Sequence, residues 1–592
     1  MRKLLLCSAF ALLAAGCKDG GSTPPVATSV SVSPGTVSLS AIGATRVVRA
    51  AVVDQKGNAM PGAPVTWSSN STAALIASTG ADSAVVVAMG NGSASITATS
   101  GSASGAVTVQ VSQVPTKVQK AAGDGQTAAR SSAVPSAPRV LVVDALDNPV
   151  PGVSVQFAVT SGGGSVTGAT QTTDANGTAA VASWLMGATL GANTLTATVA
   201  GVAPVEFTAT AADAATIVIQ TGHNQAAMAG TAVPTAPVVV VRDASGNPMA
   251  GMPVTFSVTA GGGSVGTATV TTNAAGVASP GSWTLGPEAG PNTLRASVSG
   301  ITGAPATFRG TGCSGGGGAG YAMTLCFTSS MTAGQRAAFQ SAATRWAGII
   351  TADLPDIPGS IPTDACGDGS PSMSHNFDDL LIFAGVEAID GPSGILGQAG
   401  WCYRRTAGLP VIGVMRFDMA DMNSLEAGGG LNSVILHEMG HVLGIGTLWA
   451  PMGLLQNPST ASSTQDTHFT GAQAIIGFDA IGGTAYAGGQ KVPVENTGGP
   501  GTANGHWRES VLGRELMTGF LNNGTNPLSV LTVRSLTDLG YTVDVSTAEA
   551  FTITFALQNA DAATSRLRMV NDLYTGPRFT IDRLGRRTRL GN

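Results

Sequence analysis

The sequence predicts a multidomain chain in which three all-β sandwiches precede a mixed α+β domain. Three observations carry that reading. Alternating apolar and polar residues, broken by turns containing Gly or Asn, run through the first half of the chain and mark strands with one buried face. The pattern repeats: Asp144, Asn148, Gly163, Trp184 and Asn193 return as Asp243, Asn247, Gly262, Trp283 and Asn292 at a constant offset of 99, and an earlier copy starts near Asp54. After the Gly-rich stretch Cys313 to Gly320, helical spacing replaces the alternation.

With 592 residues the chain exceeds one hydrophobic core. Its formal net charge is −5, only 11% of residues are charged, and no basic block stands out, which argues against nucleic acid as a partner. Met1-Arg2-Lys3 followed by the apolar run Leu4 to Leu13 is too short to span a bilayer and reads as a signal peptide, residues 1–16. Ala14-Ala15-Gly16-Cys17 resembles the lipobox of bacterial lipoproteins, although Leu13 stands four places before the Cys and Ala14 takes the usual Leu position. That resemblance implies lipidation of Cys17 and a membrane anchor, and Lys18 after it resembles lipoproteins sent to the outer membrane. Residues 17–26 are then a polar tether.

The repeats divide as 27–113, 114–212 and 213–311. In each, a strand such as Val52–Asp54 meets a turn, an alternating strand such as Val254–Val258 follows, and a Gly-rich turn such as Gly261 to Gly263 precedes the closing strands. About seven strands in roughly 100 residues suit an immunoglobulin-like sandwich, with Trp184 and Trp283 as core plugs. These units resemble bacterial Ig-like domains of surface proteins and invasin-type adhesins, the first being most like the group-2 type. The resemblance implies a spacer and a possible cell-surface or matrix ligand. His223 has no partner nearby in sequence and reads as a linker residue.

Apart from Cys7 and Cys17, the cysteines are Cys313, Cys326, Cys366 and Cys402. An even number in an exported chain suggests two disulfides, and their spacing is wrong for a compact four-cysteine metal site. Three pairings are open; sequence proximity favours Cys313 with Cys326 and Cys366 with Cys402.

Residues 312–320 read as a Gly-rich linker and 321–545 as the α+β domain. Met323–Phe327 reads as a strand and Thr332 to Ile350 as an amphipathic helix; Asp379–Phe383 and Val411–Met415 are apolar runs suited to a central sheet. The chemistry lies in Leu431 to Gly444, which contains His437-Glu438-Met-Gly-His441. On a helix capped by Asn432 or Ser433 and ended by Gly444, the two histidines share a face one turn apart. Two imidazoles so placed suit Zn²⁺, and Glu438, beside them but off their face, is placed as general base. A third ligand is needed, and His506, His468 and His375 are the candidates.

His437 to Gly444 opens like the metzincin motif, but Thr447 stands where its third histidine belongs. With Ala503-Asn-Gly-His506-Trp507 and Arg514-Glu-Leu-Met517 downstream, the segment resembles leishmanolysin, the M8 peptidase family, where a long insertion separates the last histidine from the helix. The resemblance implies a metzincin-type fold, His506 as third ligand, Met517 packed in a turn beneath the metal, and Gly444 as the sharp exit from the helix. Asn526 to Tyr541 resembles the closing helix of bacterial members. The implied activity is endopeptidase cleavage of protein or peptide substrates; the alternative is a surface adhesin whose peptidase domain is minor or inactive.

Asp378, Asp379, Asp390, Asp418 and Asp421 are weaker candidates for a Ca²⁺ site. The extension 546–592 has one alternating run, Phe551–Phe555, and Arg583, Arg586, Arg587 and Arg589 near its end, and reads as an exposed tail. The location implied is exported: outer-membrane lipoprotein, cell surface or secreted.

Overall fold

The computed structural model describes residues 23–301, 303–315, 320–460, 465–499, 501–522, 524–554 and 567–591. The signal-like start and Cys17 lie outside the described residues. The chain divides into two compact units after Ala212.

The first unit is built from small, largely antiparallel sheets. In the first repeat, Ala27–Ser33, Thr45–Asp54, Ser83–Ala88 and Ala74–Thr79 form one four-stranded sheet. Thr36–Leu39, Ala103–Val111, Gly92–Ser100 and Thr66–Ser69 form another. Alternation in the sequence becomes alternation in burial: along Gly92–Ser100 every second residue from Ala94 is buried. The next repeat has a five-stranded and a three-stranded sheet plus a two-stranded ribbon. That ribbon carries Trp184, and the corresponding ribbon of the following repeat carries Trp283, both fully buried.

The recurring Asp and Asn have one structural cause. The Oδ1 atoms of Asp54, Asp144 and Asp243 accept the amides of Asn58, Asn148 and Asn247, and also those two residues on. The same side chain closes the same turn three times. One short parallel pair also recurs, Thr36–Leu39 with Thr108–Val111, Gln126–Ala129 with Ala209–Ala212, and Gln225–Met228 with Gly310–Cys313.

In the second unit the mixed α+β domain has a central sheet of β1 (Met323–Phe327), β2 (Leu380–Glu387), β3 (Gly397–Arg405) and β4 (Pro410–Asp418), in the order β1-β2-β4-β3. β1, β2 and β4 are parallel, whereas β3 runs antiparallel to β4. Nearly every residue of β1 to β4 is buried, as in a sheet covered on both faces. Helix α1 (Ala333–Ile349) starts with a capping box between Thr332 and Gln335. It packs on α3 (Leu431–Leu443), where Trp346 Nε1–H donates to Leu436 O at 3.0 Å; α2 (Met419–Gly428) lies between them in sequence. Among the described residues no helix is long and apolar enough to cross a membrane.

Four expectations differ from the structure. The α3 N-cap is Gly430 with no side-chain cap, so neither Asn432 nor Ser433 caps the helix; its stability comes from burial rather than capping. Of the 312–320 linker, residues 316–319 lie outside the described residues, while Cys313 at its start ends the strand Ala306–Cys313 and pairs with Cys326, so the sheet of the third repeat continues into the α+β domain. The alternating run Phe551–Phe555 reads as a strand, but residues 551–554 form none and Phe555 lies outside the described residues. The arginine-rich end is not a loose tail, because Phe579–Ile581 adds to the outer edge of β3 and pairs with Arg587–Arg589.

The structure joins Cys313 to Cys326 and Cys366 to Cys402. The second link ties the hairpin of Ile357–Ile361 and Ser372–Phe377 to the edge strand β3.

Candidate metal centre

Helix α3 places His437 and His441 on one face, where both are fully buried. Gly444 ends the helix at φ +115°, a conformation that favours glycine. The chain then leaves through Thr447, whose hydroxyl donates to His441 O at 2.7 Å. Thr447 therefore holds the helix end.

His506 arrives from the far side of a long excursion and completes a triangle. The Nε2 atoms of His437, His441 and His506 are all 3.1 Å from one another. Each Nδ1–H donates to a backbone carbonyl: His437 to Leu516 at 2.7 Å, His441 to Ile445 at 2.9 Å and His506 to Thr502 at 2.9 Å. With those protons committed, each Nε2 turns a lone pair inward. Three lone pairs this close repel unless a cation lies between them. Tetrahedral zinc with nitrogen ligands needs a separation of about 3.3 Å, so these residues fit that ion.

His468 and His375 do not join the group. His468 Nδ1–H donates to Asp466 O at 2.7 Å, and the ring of His375 rests edge-on against Phe377.

Met517 is fully buried and lies under α3, close enough that a Cβ on Gly440 would be 2.9 Å from its sulfur. The turn around it is held by Glu515, a buried carboxyl that accepts Met517 N–H, Ser529 N–H, and the hydroxyls of Ser529 and Thr532. Ser529 and Thr532 belong to the start of helix α4 (Val530–Leu539). Trp507 N–H donates to Met517 O at 3.0 Å, so the segments bearing the third histidine and the methionine are directly joined.

A fourth group faces the histidines that spacing in the sequence did not announce. Asp572 is buried, and its Oδ2 lies 3.0 Å from His506 Nε2, 3.7 Å from His437 Nε2 and 4.0 Å from His441 Nε2. His437, His441, His506 and Asp572 form a buried cluster able to hold a single zinc ion. Met569-Val-Asn-Asp572-Leu-Tyr574 has no periodicity or ligand spacing that would single out the aspartate.

Glu438 follows His437 on α3 and is fully buried, with no hydrogen-bond partner for either oxygen. Burial, and then the charge of Asp572, push its carboxyl well above the usual range. Burial holds His437 low, and burial with the neighbouring imidazoles holds His441 well below the ordinary value. For His506 burial pushes down, but the Asp572 carboxylate outweighs it and the ring stays above the ordinary value. Asp572 itself is held far below the carboxylate range: burial raises it, and the charge of His506 with contacts to His437 and His506 more than offsets this.

The acidic residues considered for calcium are otherwise engaged. Asp418 accepts the amides of Ile389, Asp390, Gly391 and Ala420, and Asp379 those of Ala322 and Leu354. Asp421 accepts Ser393 N–H and Asp390 accepts Ile395 N–H. Asp353, Asp378 and Asp379 lie near one another, but Asp353 is exposed. These carboxylates organise loops rather than gather as ligands of a Ca²⁺ ion.

Residues 359–561 match the sequence model of the leishmanolysin (M8 peptidase) family. No curated protein matches the chain. Among solved structures, the Escherichia coli adhesin FdeC is 19% identical over 48% of this chain and 96% of its own, with a TM-score of 0.22. The D0-D1 domain of intimin is 19% identical over 33% of this chain and 95% of its own, with a TM-score of 0.15.

Proposed function

We propose that the M8 peptidase domain makes this chain a zinc-dependent endopeptidase, with His437, His441 and His506 as metal ligands and Glu438 as general base. The observation that carries the reading is the triangle of buried Nε2 atoms, each with its Nδ1 proton committed elsewhere. A zinc ion held by those nitrogens supplies Lewis acidity, the property that lets water attack a peptide carbonyl at neutral pH.

The chain's own groups do the rest. The carbonyls of Leu516, Ile445 and Thr502 set the tautomer and aim of each imidazole. The unpartnered carboxylate of Glu438 is free to take the proton of an attacking water. The same carboxyl can then pass that proton to the leaving amine. Met517 packs beneath the ligands as support; its thioether is poorly matched to zinc.

The finer organisation belongs to the same proposal. The repeats at 27–113, 114–212 and 213–311 are three immunoglobulin-like sandwiches, supported by the repeated Asp–Asn turn and the buried Trp184 and Trp283. The catalytic domain is proposed at 321–545, with residues 567–591 packed onto it. Export to the cell surface is supported by the apolar start and two disulfides, with Cys17 as lipid anchor. The sandwiches offer a surface for an adhesive ligand.

The test is zinc content and hydrolysis of an unfolded protein by the full chain, with and without Glu438→Gln. Both should be measured in the native and Asp572→Ala backgrounds, so that a closed site is not mistaken for an inert one. The substitution should leave one equivalent of zinc and reduce hydrolysis by about 10²- to 10⁴-fold. Zinc binding with no Glu438-dependent cleavage in either background would sink the endopeptidase reading.

A further inference from the structure

The segment that delivers Asp572 is fastened on both sides of the metal centre. Upstream, Leu567–Arg568 pairs with Phe520–Leu521 just beyond the methionine turn, Met569 N–H donates to Gly519 O, and Thr502 hydroxyl donates to Met569 O. Asn571 then turns at φ +50° and Asp572 enters the site. Downstream, the backbone joins the outer edge of β3: Ala399 N–H donates to Asp572 O at 2.7 Å and Tyr574 N–H to Ala399 O at 2.8 Å. Further on, Tyr403, Arg404 and Arg405 pair in parallel with Phe579, Thr580 and Ile581.

Two consequences follow. The three histidines and Glu438 are all 0% exposed and Asp572 is 1% exposed, so a peptide carbonyl has no path to the centre in this arrangement. A tetrahedral zinc site with four protein ligands is also closed in the coordination sense, whereas a catalytic site keeps one position open. Glu438 makes no sense in a permanently closed site. Its two oxygens are buried without a partner, which costs free energy. A structural four-ligand centre has no use for that group, whereas an enzyme held shut does.

We propose that residues 567–591 are an autoinhibitory strap: Asp572 closes the fourth position of the His437–His441–His506 centre, and the strap covers the β3 edge on which a peptide substrate docks. This rests on the endopeptidase reading above. The strap occupies the edge of β3 as an added strand, the mode by which extended peptides bind sheet edges. Its release opens the metal and frees Ala399 N–H and O for a substrate backbone in one movement. Release undoes one isolated bridge and three residue pairs on β3, the Tyr403–Phe579 stack, the Arg578–Trp401 contact and the Gln398–Asn571 hydrogen bond, and no other described strand pairs with that side of β3.

The test reads access to the metal rather than peptide cleavage. The full chain, Asp572→Ala and Asp572→Asn are loaded with Co²⁺, and acetohydroxamate binding is followed by the visible absorption of the metal. If the strap is closed in about 99% of native molecules, native Kd is weaker than that of Asp572→Ala by about 100-fold. Equal Kd values for the native chain and both variants overturn the proposal. A measurement on the native chain guards against misfolded variants. Saturating acetohydroxamate should speed hydrogen exchange at the Tyr574 amide, which donates to Ala399; unchanged protection with hydroxamate bound overturns the proposal equally. Loss of peptide hydrolysis in an open, hydroxamate-binding Asp572→Ala chain would instead count against the endopeptidase reading alone.

Discussion

Asp572 Oδ2 stands 3.0 Å from His506 Nε2 with both side chains buried, and one residue, Thr502, braces both sides of this contact. The carbonyl of Thr502 accepts His506 Nδ1–H, while its hydroxyl donates to Met569 O in the segment carrying Asp572. The third histidine and the group that closes the site therefore share a support, and disturbing one is felt by the other.

The pair has a pH signature once metal is chelated. His506 is held above its ordinary value, because the Asp572 carboxylate outweighs the downward push of burial. Its stabilisation is complete below the unfolded imidazole value and is lost as pH rises through the raised one. Asp572 is held low, so its share is present above the ordinary carboxylate range and is lost in acid. In chelated protein, Asp572→Asn should therefore lower Tm more at pH 6 than at pH 9. Calorimetry showing an equal or larger loss at pH 9 would rule out an ionised pair.

His506→Ala should abolish stoichiometric zinc, whereas His468→Ala should retain it, since His468 is turned toward Asp466. Elemental analysis after gel filtration checks this. Because metal and folding are coupled, circular dichroism of each variant accompanies it.

Met517→Leu should preserve one zinc and cost less than about 1.5 kcal/mol, as a volume-conserving swap does. Gly440→Ala should cost more, about 1 to 3 kcal/mol, because its Cβ would sit 2.9 Å from Met517 Sδ and 3.3 Å from the Trp346 ring. Loss of zinc in the leucine variant would show that the sulfur does more than pack.

Glu515→Ala should destabilise the domain by more than about 3 kcal/mol, because several buried donors lose their acceptor together. Glu515→Gln should cost less, since burial already pushes this carboxyl above its ordinary value and an amide oxygen can still accept from Ser529 or Thr532. Urea denaturation followed by tryptophan fluorescence measures both.

Much of the site was legible because its chemistry is local. His437, Glu438 and His441 share one helix, and the helical period alone brings the two imidazoles together. The strands were legible for the same reason, since alternation along Pro253–Ala260 reports one buried face. His506 needed a family likeness, because a long excursion can close on any of several residues at little extra entropic cost. Glu515 looked like any charged residue near a turn, and its buried hydrogen bonds exist only once α4 is docked.

By itself, the sequence determined the repeated β grammar, the change to an α+β domain, and the paired histidines with Glu438 beside them. Only the tertiary structure decided that the sheet of the third repeat runs on into that domain and that Phe579–Ile581 covers the edge of β3. It also decided that Asp572 ends against His506. The physical reason is range: periodicity along a segment records which face that segment buries. Contacts between distant segments depend on which sheet edge remains open and which buried cation site still lacks an anion, and neither leaves a local pattern around Asp572.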